Sequence, residues 1–265
     1  MNNLYKIVLS ATGYKPSKGS EIERDSEGFY KVRLGAFNVF NSGKAFYSGE
    51  GIKELLTDPN SFFYRRLKKG YLLGEMGHPV MEPGMSMGQF MNRNAVIDPQ
   101  NVACFIKDIE IVDTGEKVNN MGNYGNVLIV NGWIKPSGPK GKYLQEALDT
   151  PDRNIAFSVR SLSKDTLVNG VVIKQTKAVL TWDWVFEPGI NNANTFDMLN
   201  NKVVNTESCN TLISLDVTEE DLKDMINVEN TTINTESNKE TITNLSNIIS
   251  KELVTNSTVS KIYSW

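Results

Sequence analysis

The chain reads as an α+β protein of mostly β character over residues 1 to about 200, with a few helices, followed by a polar C-terminal tail over residues 201–265. Three observations predict this. Short runs of alternating apolar and polar residues, set off by Gly, Asn and Pro, recur from residue 5 to residue 186. With 40% hydrophobic residues, a chain of 265 residues can bury a real core. Beyond residue 200 the composition changes. Asn, Thr, Ser and Glu dominate, proline is absent, and 5 Lys stand against 10 acidic residues, a net of −5 that leaves the body at +2.

The elements follow in order. Residues 5–9 alternate as a first strand, and 12–25 form a polar loop. Residues 29–40 are a long strand or bent strand pair with Val32, Leu34, Phe37 and Val39 as its apolar positions and a bulge or bend at Gly35. A turn at 41–44 leads to a short strand at 45–47. Residues 51–56 form a first helix, broken at Asp58-Pro59-Asn60, and Ser61 caps a second over 62–69. Residues 71–73 are a short apolar strand. Residues 81–91 hold Met81, Met85, Met87 and Met91 between Pro83, Gly84 and Gly88, the composition of an adaptable loop.

Residues 101–113 alternate as a strand with a bulge near Lys107-Asp108, 115–125 make a hairpin loop, and 127–134 are a buried strand. A Gly/Pro turn over 136–142 precedes a short helix at 143–148, ended before Pro151. A strand at 155–162, a turn over 164–170, a return at 171–174 and a last core strand at 178–186 complete the body. In the tail, 218–226 and 245–253 carry the short apolar patterns of one or two marginal helices. The first has acidic residues in its opening turn, as a helix start prefers.

Composition also excludes functions. A net charge of −3 gives no strongly basic surface for nucleic acid. Cys104 and Cys209 lie far apart, which argues against a disulfide framework and fits a reducing compartment. With one His and two Cys, a Cys/His zinc site has too few ligands. No basic, then apolar, leader stands at the start, and no apolar run approaches the ~18 residues of a membrane helix. The expectation is a soluble, intracellular protein.

The chemistry centres on Leu73-Gly74-Glu75-Met76-Gly77-His78-Pro79, which contains the sole histidine. Imidazole is the usual side-chain base of a neutral-pH hydrolase because it titrates near working pH. If the chain does such chemistry, His78 is the only candidate. Gly74 and Gly77 allow tight backbone geometry and Pro79 fixes the exit. Taken alone, the same residues also describe an ordinary turn after a strand.

Gly74-Glu75-Met76-Gly77-His78-Pro79 resembles the Gly-Glu-x-Gly-His-Pro signature of the prohead, or capsid maturation, serine proteases of large tailed phages. Ile155-Ala156-Phe157-Ser158-Val159-Arg160-Ser161 is similar to that family's Ser-x-Arg-Ser strand. Thr181-Trp182-Asp183-Trp184-Val185-Phe186-Glu187-Pro188-Gly189 resembles its Asp-x-Val-x-x-Pro ending. Order and spacing agree over roughly residues 5–197. One departure stands at Ala103-Cys104, where the family often carries a Ser-His pair, and it puts that pair's substrate-binding role in doubt here.

The resemblance implies a barrel-like, strand-rich fold with surrounding helices, shared distantly with the herpesvirus assemblins. It implies a serine endopeptidase with His78 as base and Ser158 as nucleophile, preferred over Ser161 and Ser163. On a strand Ala156, Ser158 and Arg160 share a face, with small Ala156 leaving room for a substrate backbone. The assemblins use a second histidine as third member, and this chain has none, so a carboxylate must serve. Alternation puts Trp182 and Trp184 on one face of their strand and Asp183 on the other. A carboxylate in so apolar a strand needs a partner, either protonated His78 or a structural Lys or Arg. Glu75 and Asp108 are the alternative acids. Arg160 stands as an oxyanion or substrate-binding candidate or as a loop holder, and the turn at Asn191 as a source of backbone N–H groups.

The same resemblance implies phage scaffold, core and capsid proteins as substrates, inside the assembling procapsid in the host cytoplasm. It implies no metal or nucleotide and leaves a homo-oligomer open, while the charge and hydropathy above give the expectation of no nucleic acid and no membrane partner. Family members cut after Glu and trim themselves. Val204-Asn205-Thr206-Glu207-Ser208 recurs as Ile233-Asn234-Thr235-Glu236-Ser237, so Glu207 and Glu236 are candidate self-cleavage sites, or chance repeats in a biased segment. Two rivals remain. One is a procapsid core or scaffold component that keeps the fold without the activity, which the Ala103-Cys104 departure favours. The other is a plain structural protein with an accidental Gly-His-Pro.

Overall fold

The computed structural model describes residues 5–13, 22, 24–41, 44–118, 121–150, 153, 155–186, 215–217, 220–221, 224 and 239–251. The first half contains β1 (Tyr5–Gly13), β2 (Tyr30–Phe37), β3 (Val39–Phe40), β4 (Phe46–Ser48), α1 (Ile52–Thr57), α2 (Phe62–Lys68), β5 (Leu73–Glu75) and α3 (Met87–Ala95). The second contains β6 (Val102–Asp113), a 3-10 turn at Gly122–Tyr124, β7 (Leu128–Pro136), α4 (Gly141–Asp149), β8 (Ala156–Val168), β9 (Val171–Val185) and β10 (Leu215–Val217). A further helix covers 239–251.

The strands form two sheets. One has the order β10-β1-β8-β9-β4-β3, the other β2-β7-β6-β5. Sheets and helices are both present, as the α+β reading expects, and no closed barrel forms among the described strands. Between the sheets lies one apolar core that includes Val32, Leu34, Ile106, Val130 and Ile134 from the smaller sheet and Phe157, Val159, Trp182 and Trp184 from the larger. Phe157 and Val159 alternate with Ser158 and Arg160 along β8, and Trp182 and Trp184 with Thr181 and Asp183 along β9, and both faces are buried there.

Most elements fall where alternation puts them, including the bulges in β2 between Arg33 and Gly35 and in β6 between Ile106 and Asp108. Two readings are corrected. Residues 164–170 are not a loop, because β8 continues to Val168 and β9 starts at Val171. Asn169 and Gly170 both take positive φ, 51° and 81°, the two-residue hairpin turn that matches strand twist. Ser158 therefore pairs directly with Asp183 on the adjacent strand.

The methionine-rich loop is in part a helix. Ser86 Oγ accepts from Gln89 N–H, and the Gln89 side chain accepts from Ser86 N–H, a capping box that starts α3. Phe90, Met91 and Ala95 then fall on buried positions of one helix.

Part of the polar tail is also built into the fold. β10 pairs antiparallel with β1. The 239–251 helix buries Ile242, Leu245 and Ile249 against Met91 and Ala95 of α3 and Leu162, Ala178 and Leu180 of the larger sheet. Among the described residues no helix is long and apolar enough to cross a membrane.

Candidate active site

β5 lies hard against β9. A Cβ on Gly74 would meet the Trp182 carbonyl oxygen at 2.3 Å and the Cys104 sulfur at 2.8 Å, so only glycine allows this approach. Gly77 donates its N–H to the Trp184 carbonyl at 2.7 Å and turns the chain at φ 77°. That turn swings His78 over the face of β8 and β9 that carries Ser158 and Asp183.

The three side chains meet. His78 Nδ1 lies 2.8 Å from Asp183 Oδ2, and His78 Nε2 is in hydrogen-bond contact with Ser158 Oγ. The direction of each bond follows from chemistry. Ionised Asp183 can only accept, so Nδ1 carries the proton, Nε2 presents a lone pair, and the Ser158 hydroxyl donates to it. Asp183 is fully buried, the His78 side chain is 15% exposed, and Ser158 is 1% exposed.

Both oxygens of Asp183 are saturated. Oδ1 accepts from Glu75 N–H at 2.9 Å and from Arg160 Nη2 at 2.8 Å, while Oδ2 accepts from His78 and from Arg160 Nε at 2.9 Å. Burial pushes the carboxyl up, but Arg160 and then His78 outweigh it and hold Asp183 below the usual carboxylate range. The carboxylate therefore has an arginine partner and a histidine partner at once.

Arg160 is fully buried behind Asp183. Its remaining donors reach Glu75 Oε1 at 3.2 Å and the carbonyls of Asn94 at 3.3 Å and Val96 at 3.2 Å. Burial lowers its proton affinity, yet Asp183 and Glu75 more than restore it, and the net direction is upward. In this structure every guanidinium nitrogen of Arg160 is turned towards Asp183, Glu75 or the carbonyls of Asn94 and Val96.

Glu75 is the hub that sequence reasoning held only as an alternative acid. Arg93 of α3 grips it with both Nη atoms, at 3.0 and 2.5 Å, while Asp98 N–H at 2.9 Å and Asn101 Nδ2 at 3.2 Å complete its shell. Arg93 is not visible from the sequence, because no strand or helix pattern marks residues 92–100, and it acts from the last turn of α3. A carboxylate placed directly ahead of a glycine-rich histidine turn was the available signal.

Other candidates lie elsewhere. Asp108 pairs with Lys68 at 3.2 Å on the surface. Ser161 lines a small cavity with Met91, Leu180 and Leu245, and Ser163 donates to Asp165 at 3.3 Å. Cys104 is buried, and its thiol is pushed up to about 12 by burial and then by Asp183, so it stays protonated and inert. Asn191, Glu207 and Glu236 lie outside the described residues.

Comparison with known proteins gives three results. A family model described as the Peptidase S80 family matches residues 9–249. The chain is 35% identical over 180 residues to a protein named capsid maturation protease of Pseudomonas phage phiKZ, a match covering 65% of this chain and 63% of that relative's length. Among solved structures, the capsid assembly protease of bacteriophage T4 superposes with a TM-score of 0.46 at 16% identity, over 69% of this chain and 99% of that one. The capsid-protease resemblance read from Gly74 to Pro79 holds at the level of the family.

Proposed function

Since the chain belongs to the Peptidase S80 family, we propose that it is a serine endopeptidase that cleaves phage scaffold and capsid proteins inside the assembling procapsid. The observation that carries this reading is the single histidine bridging Ser158 and Asp183.

The chemistry follows from the bond directions. Ser158 Oγ forms a bond to the scissile carbonyl carbon as its proton passes to His78 Nε2, and the carbonyl oxygen takes the negative charge. The imidazolium then gives that proton to the leaving amine as the C–N bond breaks. Water hydrolyses the acyl ester by the same exchange in reverse. Asp183 holds Nδ1 protonated throughout and stabilises the imidazolium.

Self-trimming belongs to the same proposal, with Glu207 and Glu236 as cleavage positions. One experiment tests both parts. Purified protein and its Ser158→Ala form are treated with a fluorophosphonate, and in parallel incubated and weighed intact. The wild type should gain one label and shed fragments starting at Ser208 or Ser237, while the mutant does neither. Equal labelling of both forms sinks the nucleophile assignment. A labelled wild type that stays full-length while cutting a scaffold substrate ends the self-trimming part alone.

A further inference from the structure

We propose that Glu75 and Arg93, one and two ion pairs behind the triad, set the pH at which His78 takes up its proton. They would act by charge, as positioning residues that never touch the substrate. The kinetic consequence rests on the protease reading, but the protonation of the imidazole does not.

The basis is an ordered train of charge. Arg93 grips Glu75, Glu75 meets Arg160, Arg160 grips Asp183, and Asp183 meets His78. The signs alternate, and the four residues behind the histidine sum to zero. Glu75, Arg160 and Asp183 are fully buried, so their fields are poorly screened. Among the described side chains, the charged groups that reach this cluster are Asp183 from β9, Arg160 from β8, Glu75 from β5, Arg93 from α3, and Asp98 just after it, 4.0 Å from Arg93. From α2 comes Arg66, itself pushed down to about 10 by burial and by Arg160. The Cys104 thiol from β6 stays neutral.

This arrangement gives Glu75 more than a fastening role. Without its charge, Arg160 and Arg93 outnumber Asp183, and the excess positive charge opposes the imidazolium. Without Arg93, the excess is negative and favours it. A purely structural role for the pair has no such sign. Loosening Glu75 from either side would disturb His78 in the same direction or leave it alone.

The chain has one histidine, so a single imidazole Cε1 proton resonance reports the titration without assignment. The test is NMR titration of the full-length protein carrying Ser158→Ala, to prevent self-cutting, with Glu75→Gln, with Arg93→Gln, and with both. Relative to the parent, Glu75→Gln should lower the midpoint by about one pH unit, the scale of one unit charge lost at an effective permittivity near ~20. Arg93→Gln should raise it by less, because Arg93 lies farther out and is 27% exposed. The double variant, neutral again, should return close to the parent. An Arg93→Gln midpoint that is unmoved or lowered overturns the proposal, as does a double variant that stays where Glu75→Gln alone lies. If Glu75→Gln does not fold, the direction of the Arg93→Gln shift alone still decides.

On the Ser158 background, the acid limb of kcat/KM should move with each midpoint. Shifted midpoints with no cleavage by any form would sink the protease reading and leave this inference standing. Normal cleavage with fixed midpoints would do the reverse.

Discussion

The outer face of β8 and β9 carries two buried regions of opposite character, and α3 lies over both. Towards one end, Ser158, Arg160 and Asp183 form a charged cluster that uses the carbonyls of Asn94 and Val96 as acceptors. Farther along, Leu162, Ala178 and Leu180 form an apolar patch under the 239–251 helix. The first region is held by directed bonds, and each Asp183 oxygen and each Arg160 nitrogen has a named partner. The second is held by shape and by exclusion of water. Directed clusters tolerate no missing member, because the partner left behind is buried and unpaired. Apolar patches lose in proportion to the volume removed. Position in the chain therefore says little about consequence, while the kind of interior says much.

The sharpest contrast is in activity. Asp183→Asn keeps the size of the side chain but can no longer hold Nδ1 protonated with the same certainty. On the proposed mechanism peptide cleavage should fall by roughly four orders of magnitude in kcat/KM, as loss of the orienting carboxylate does in Ser-His-Asp triads. Near-normal cleavage by Asp183→Asn would break the comparison, because the charged cluster would then be as forgiving as the apolar patch.

Stability gives the second contrast. Arg160→Met fills similar space but strands the Asp183 carboxylate, with an expected loss of about 3–5 kcal/mol in urea unfolding at neutral pH. The pH dependence has a defined sign. In the native protein Asp183 titrates below its unfolded value, so its stabilisation is present above about pH 4 and is lost as pH falls through the folded value. In Arg160→Met the outcome inverts. The carboxyl rises without its arginine, and acid neutralises the stranded charge, so the gap between mutant and wild type should narrow as pH falls below about 5. A gap that stays constant down to pH 4 would mean the loss is one of packing, not of charge.

Much of the charged cluster was legible in the sequence, and for a simple reason. Strand alternation has a period of two, so Ser158 with Arg160, and Asp183 opposite Trp182 and Trp184, follow from counting. The glycines at 74 and 77 announce tight backbone geometry, which is a close approach at Gly74 and a left-handed turn at Gly77. What alternation cannot give is the third dimension. Glu75 and Arg93 meet only because β5 abuts β9 and α3 crosses behind it. Reading 81–91 as a loop hid that helix, since Pro83, Gly84 and Gly88 outweighed the Ser86 and Gln89 capping pair. The apolar patch was half legible. Ile242, Leu245 and Ile249 recur at helical spacing, but their docking face depends on register shifts in β8 after Arg160 and Leu162, which no local pattern reports.

The smallest expected effect tests whether the two regions are independent. Leu245 is buried on the 239–251 helix among Met91, Leu162 and Leu180. Leu245→Ala should cost about 2–3 kcal/mol, at the low end of the range for buried leucines, because a helix at the edge of the fold can shift to close part of the void. Activity should stay within about threefold of wild type below the unfolding transition. The reason lies in how α3 is fixed. Its charged end is held by the paired bonds from Arg93 to Glu75 and by Arg160 on the carbonyls of Asn94 and Val96. Those contacts do not pass through Leu245, so a leaner apolar patch should leave Arg160, and through it Asp183 and His78, where they are. A comparison of urea midpoints with kcat/KM for Leu245→Ala measures this directly. If cleavage falls tenfold or more while the fold persists, α3 transmits the docking of the 239–251 helix to Asp183 and His78. The apolar patch then serves as the rear support of the charged cluster.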